Sequence, residues 1–152
     1  QRAWDYDVIS EGYRYHLTNV MASVGISQLK RVNDFIASRQ AVCDRYSAAF
    51  DSFPGVRLMR GKHADVSPFI YSLRVLDGHR TEFIDHMRAQ AIDVGVHFIP
   101  VHRHAWFSNA RSGPLPVTER VAAEVVTLPL HSEMQPAFVE RVIDAVSRFF
   151  GG

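Results

Sequence analysis

One amphipathic stretch constrains this chain more than any other feature, because it is too long for the rest of the chain to cover. Apolar residues recur at Val20, Met21, Val24, Leu29, Val32, Phe35, Ile36, Val42, Cys43, Tyr46 and Phe50. Steps of three and four place them along one side of a helix. Thr18 or Asn19 supplies the N-cap. Unbroken to Phe50, such a helix would be about 45 Å long. A domain of 152 residues cannot bury a stripe of that length by itself. Gly25, inside the stripe, costs about 1 kcal/mol relative to alanine and marks a place where another backbone or helix comes close. One long helix and a bent or two-piece helix satisfy the pattern equally.

The remaining elements are shorter. Residues 1–16 have no stable period and read as an extended or irregular lead-in. Phe53-Pro54-Gly55 stops the helix, and Val56–Met59 reads as a short strand. Phe69, Tyr71, Leu73 and Val75 alternate with Ile70, Ser72, Arg74 and Leu76, the period of a strand. Asp77-Gly78 turns the chain into a helix carrying Phe83, Ile84, Met87 and Ala91. After Gly95 a second strand is expected over Val96–Val101. A loop with Gly113, Pro114 and Pro116 leads to a short helix, Thr118–Glu124, and a brief strand, Val125–Leu128. Pro136 opens the last helix at a first-turn position. Its apolar face is Phe138, Val139, Val142, Ile143, Val146, Phe149 and Phe150, and Gly151-Gly152 ends it. The order predicts an α+β fold, a small, mostly antiparallel sheet with helices packed on it. Three parts follow: a lead-in over 1–17, the long connecting helix over 18–52, and a small domain over 53–152.

Composition excludes several classes. A net charge of +1 gives no basic excess for nucleic acid or an anionic membrane. No apolar run approaches the roughly 20 residues of a membrane-spanning helix. Cys43 is the single cysteine, so no intrachain disulfide forms, and a reducing compartment, the cytoplasm, is expected. The chain begins at Gln1 without a methionine, which leads us to expect a portion of something longer. Only Lys30 and Lys62 among the 17 basic residues are lysines.

Chemistry-bearing residues are few. His97, His102 and His104 fall in "HFIPVHRHAWF", and His102 and His104 share a side if that segment is extended. A metal site needs three or four ligands, and no Asp, Glu or Cys lies nearby in sequence. The loop is then either a polar connector or a substrate-contacting one. Cys43 sits on the apolar stripe as a core thiol, and His131 with Glu133 lies in a connector. Neither a G-x-S-x-G elbow nor a Walker A or G-x-G-x-x-G loop is present. The remaining stretch is "EGYRYHLTN", residues 11–19. Arg14 and His16 precede a helix N-terminus, whose free N–H groups favour phosphate. Alternatively, Tyr13 and Tyr15 pack on the helix and leave both cations in water.

Three segments together resemble the DegT/StrS family of pyridoxal-phosphate sugar aminotransferases. "GYRYHLTNVMASVGISQLKRVNDFIASR" resembles its Gly-Tyr-Asn-Tyr-Arg-Met-Thr-Asp stretch and following long helix. "GVHFIPVHRHAWF" resembles its Tyr/Phe-x-Pro-x-His segment. "PVTERVAAEVVTLPLHSEMQPAFVERVIDAVSRFF" resembles its closing Pro-x-x-Glu, Leu-Pro-Leu and final helix. The resemblance implies the C-terminal domain of a fold-type I enzyme that moves an amino group, commonly from glutamate, to a nucleotide-linked keto sugar. It implies a large N-terminal domain, carrying the cofactor-holding lysine, and a homodimer mate. Neither Lys30 nor Lys62 lies in that lysine's small-residue context, so no catalytic residue is expected in this chain, and the chain alone is expected to be inactive. Arg14 stands at the family's usual Asn and His16 at its usual Arg, the two positions that reach the neighbour's cofactor phosphate. Tyr15 and His102 are implied beside the sugar substrate. Two other readings remain open: a non-catalytic binding or dimerisation module derived from that domain, and a metal-binding domain using His97, His102 and His104.

Overall fold

The amphipathic stretch folds as two helices. The computed structural model describes residues 5–59, 66–110 and 113–151. Within them α1 is Asn19–Leu29 and α2 is Val32–Phe50. The break lies at Lys30 and Arg31, well after Gly25. There Arg31 leaves the helical region (φ −107°, ψ 2°), and its N–H bonds back three residues to the Gln28 carbonyl at 2.9 Å. Arg31 is also held from outside its own turn: its guanidinium lies over the Phe35 ring at 4.8 Å and 3.9 Å from Glu133. The capping residue is Thr18, whose hydroxyl accepts from the Met21 N–H at 3.3 Å.

The two helices differ in what they bury. α2 turns Val42, Cys43, Tyr46 and Phe50 into the core, whereas α1 buries no residue. Val20, Met21, Val24, Ile26 and Leu29 of α1 are all more than half exposed. No atom of the described residues outside its own helix comes within 4 Å of a Cβ built on Gly25. The close approach expected there has no counterpart among the described residues.

Three strands form one antiparallel sheet in the order β1-β2-β3, with β1 Val56–Leu58, β2 Tyr71–Val75 and β3 Val125–Leu128. Val56 faces Val75 across the first pair, and Leu73 faces Val126 across the second. Tyr71, Leu73 and Val75 are buried along β2, as period two requires. The alternate face of the β2–β3 pair carries a Ser72–Thr127 hydroxyl contact at 2.9 Å. It also carries Arg74, whose Nε donates to Glu124 at 2.6 Å. The tight turn leaving β2 uses Asp77 (φ 57°) and Gly78 (φ 81°), both left-handed.

The strand expected at Val96–Val101 does not form. Gly95 alone pairs with Thr127, exchanging N–H···O bonds of 3.0 and 2.8 Å. Beyond it the segment carries Pro100, which has no N–H to give a ladder, and passes into a 3-10 turn at Val101–Arg103. This segment instead supplies loop positions beside the sheet.

The other helices are α3 Arg80–Ala89, α4 Pro116–Glu124 and α5 Pro136–Phe150, the last two opening on proline. α2, α3 and α5 share one core with the buried face of the sheet. Aromatic rings run through it. Tyr46 stacks on Phe50 at 5.6 Å, Phe50 meets Phe53 at 6.4 Å, Phe53 meets Phe150 at 6.1 Å and Phe150 meets Phe83 at 5.6 Å. Gly55 passes directly over this run, and a Cβ there would lie 2.8 Å from the Phe150 ring. Phe50 is fully buried at the centre of the run. Phe50→Ala is therefore expected to cost about 3–5 kcal/mol in urea denaturation of this chain. Val24→Ala, on the bare α1, should stay within about 0.5 kcal/mol; an equal loss at both positions would contradict the division between α1 and α2.

Candidate functional site

The lead-in is tied down at one end and open at the other. Asp7 Oδ1 accepts from the Val8 N–H at 2.8 Å and from the Ala105 N–H at 2.7 Å. The Trp106 N–H donates to the Val8 carbonyl at 2.6 Å. Tyr6 stacks on the His104 ring at 5.4 Å, and His104 Nδ1 lies 3.4 Å from Asp7 Oδ1. These contacts clip residues 6–8 onto the turn after His102 and bury the His104 side chain to 6 % exposure. The Ala105 amide is the largest of the influences that hold the Asp7 carboxyl below its ordinary value.

Beyond the clip, residues 11–20 are all exposed. Tyr13 and Tyr15 are 92 % and 88 % exposed, so they do not pack on the helix as one reading of the loop required. Arg14 and His16 face solvent beside them, just ahead of the capped N-terminus of α1. The loop thus presents two cationic or protonatable side chains and two phenols with no described residue covering them.

The loop that ends in His102 is organised by a carboxylate from α4. Glu119, in the first turn of that helix, takes hydrogen bonds from His102 Nε2 and Arg103 Nη2, with Arg103 Nε 3.3 Å from Oε1. The paired Arg103, and after it His102, draws the Glu119 carboxyl down to about 2. His102 and His104 therefore do not act as a pair. One bonds to Glu119 and the other to Asp7, from opposite ends of the chain. Among the described residues no group of three or more His, Cys, Asp or Glu converges to hold a metal ion.

A groove of about 870 Å³ lies beside this loop, between the start of β2 and α4. Phe69, Phe98, Ile99, Pro100, Val117 and Val121 make much of its wall, and His97 and Tyr71 contribute the ionisable side chains among the described lining residues. His102 does not line it. Gly95 permits this placement of His97: a Cβ at Gly95 would lie 2.8 Å from the His97 ring.

Cys43 and Lys30 stand apart from this loop and groove. Cys43 is fully buried, and burial pushes its thiol up to about 11, which leaves it protonated and inert. Lys30 is exposed at the junction of α1 and α2, and Lys62 lies outside the described residues. No described helix is long and apolar enough to cross a membrane.

Of the residues singled out from sequence, the structure exposes Arg14, Tyr15 and His16 together on one loop and sets His102 in a separate, partly covered turn. Sequence reasoning missed the partners, Asp7, Arg103 and Glu119. Only Glu119 had a signal, as the acid of the Pro-x-x-Glu stretch. The Glu119 contacts carry a pH dependence of known sign. Its lowered pKa stabilises the fold fully above the ordinary value of 4.5, and that contribution is lost as pH falls through about 2. In thermal melts across this range, Glu119→Gln should flatten the acid limb; an unchanged limb would show that these contacts do not persist in solution.

Comparison with known proteins establishes the family and the fold. The model of the DegT/DnrJ/EryC1/StrS aminotransferase family matches residues 1–147. The spore coat polysaccharide biosynthesis protein SpsC of Bacillus subtilis is 31% identical over 95% of this chain and 39% of its own length. The sugar aminotransferase CalS13 from Micromonospora echinospora superposes with a TM-score of 0.79 at 26% identity, over 95% of this chain and 38% of that one. NtdA from Bacillus subtilis, solved with bound cofactor PMP, shares the fold at a TM-score of 0.79 and 17% identity, over 97% of this chain and 36% of that one. This chain therefore spans about two fifths of the curated relatives it matches. It corresponds to a partial region of its relatives, and it belongs to the DegT/DnrJ/EryC1/StrS aminotransferase family.

Proposed function

We propose that this chain is the C-terminal portion of a pyridoxal-phosphate enzyme that transfers an amino group, from glutamate, to a nucleotide-linked keto sugar destined for a polysaccharide or a related glycoside. The observation that carries the reading is the loop at residues 11–19. It is anchored at its base by Asp7 and Val8, yet it holds Arg14 and His16 free of described partners. A polar loop fixed at one end and bare at its tip suits a ligand supplied by another domain or subunit.

The cofactor's two ends fare differently in this chain. Its phosphate suits Arg14, which stays charged at all relevant pH and offers several donors in a fixed plane. His16 adds a second donor when protonated. Its aldehyde has no seat among the described residues: exposed Lys30, at a helix junction, lines none of the cavities there. The bound cofactor supplies the carbonyl that takes up the amino group and the ring that withdraws charge from the reacting carbon. The lysine and the ring-stacking groups then belong to the N-terminal large domain, and the phosphate contact to the loop of a homodimer mate.

Substrate recognition divides similarly. Tyr15 and His102 are assigned to the sugar. The groove between β2 and α4 is not assigned to the nucleotide diphosphate, because no lysine or arginine lies among its described lining residues to neutralise one. A single, buried cysteine, Cys43, supports a reducing, cytoplasmic setting.

The Arg14 assignment is tested in the complete protein by cofactor titration. Arg14→Ala should weaken pyridoxal-phosphate retention by about 1.5–3 kcal/mol, the worth of a charged hydrogen bond. Affinity equal to the parent protein's would remove Arg14 from the phosphate site.

A further inference from the structure

We propose that Glu119 is a positioning residue. It holds His102 with its proton on Nε2 and leaves Nδ1 as an acceptor for a hydroxyl of the sugar substrate. The substrate half of this inference rests on the function proposed above; the positioning half does not.

The geometry comes first. His102 stands in a 3-10 turn, a short element with little hold on a side chain of its own. What fixes the ring is Glu119, which arrives from α4, 17 positions along the chain, and receives the Nε2 bond. Glu119 is in turn held by Arg103 through both of its oxygens. Arg103 immediately follows His102, so one carboxylate gathers two consecutive side chains and sets the turn between them.

The chemistry then determines which nitrogen is free. An ionised carboxylate only accepts hydrogen bonds, so the imidazole nitrogen facing it must donate. Arg103 already supplies the countercharge, so the bond to the ring does not require an imidazolium. A neutral ring that donates from Nε2 carries a lone pair on Nδ1. No described group hydrogen-bonds that Nδ1, and the side chain keeps 25% of its surface exposed. A group with a lone pair, held in one orientation beside solvent, selects a donor. At the sugar end of a nucleotide-linked sugar the hydroxyls donate, whereas the ionised diphosphate does not.

Histidine-selective 15N labelling of the complete protein tests this directly, since two-bond nitrogen–proton correlations separate the tautomers. The parent protein should show His102 in the Nε2–H form, and Glu119→Gln should reduce that preference toward a mixture. In the same protein Glu119→Gln should raise KM for the nucleotide sugar about five- to tenfold, the loss of one neutral hydrogen bond, and change kcat less. An Nδ1–H tautomer in the parent, or an unchanged tautomer in Glu119→Gln, overturns the positioning role. An altered tautomer with unchanged sugar KM overturns the substrate role. A parent protein that aminates no keto sugar refutes the proposed function and with it the substrate half, while the tautomer result still decides what Glu119 does.

Discussion

A continuous run of aromatic rings sets what this chain can and cannot hold by itself. It starts at Tyr46 and Phe50 on α2, passes through Phe53, and reaches Phe150 on α5 and Phe83 on α3. Each ring buries a large apolar area and fixes the next in a stacked or edge-on arrangement. The three helices and the sheet face are thereby bound into one core. The run stops on the C-terminal half of α2. Nothing comparable reaches α1, whose apolar side chains face outward.

That division has a functional consequence. The elements carrying the proposed ligand contacts are outside the aromatic core: the lead-in loop and the turn at His102. Two carboxylates tether them. Asp7 ties the lead-in to Ala105, and Glu119 ties His102 and Arg103 to α4. The loop proposed for the cofactor phosphate and the turn proposed for the sugar are thus joined through His104, which stacks on Tyr6 and lies beside Asp7. The interior is rigid and hydrophobic, whereas the site hangs on a few charge-assisted bonds that leave its outer surface available.

Legibility followed the range of the forces. α5 was clear because period, proline start and glycine end all lie within the element itself. β2, β3 and the Asp77-Gly78 turn were clear for the same reason. The α1–α2 break was not, since the ties of Arg31 to Phe35 and Glu133 settle its position, and Glu133 lies far along the chain. The absent strand at Val96–Val101 had the right composition. It failed because only Gly95 finds a partner in Thr127 before Pro100 withdraws a donor. At the site, His102, Arg14 and His16 were reached through resemblance of whole segments. Their partners were out of reach, because the bond from His102 to Glu119 spans 17 positions and the bond from Asp7 to Ala105 spans 98.

In the proposed enzyme this chain supplies the phosphate and sugar ends of a site whose covalent centre lies elsewhere in the same protein. Borohydride reduction of the complete protein in the presence of pyridoxal phosphate, followed by peptide mass spectrometry, locates the lysine that holds the cofactor. One pyridoxyl group per chain is expected, on a lysine outside these 152 residues. A stoichiometric label on Lys30 or Lys62 would contradict it.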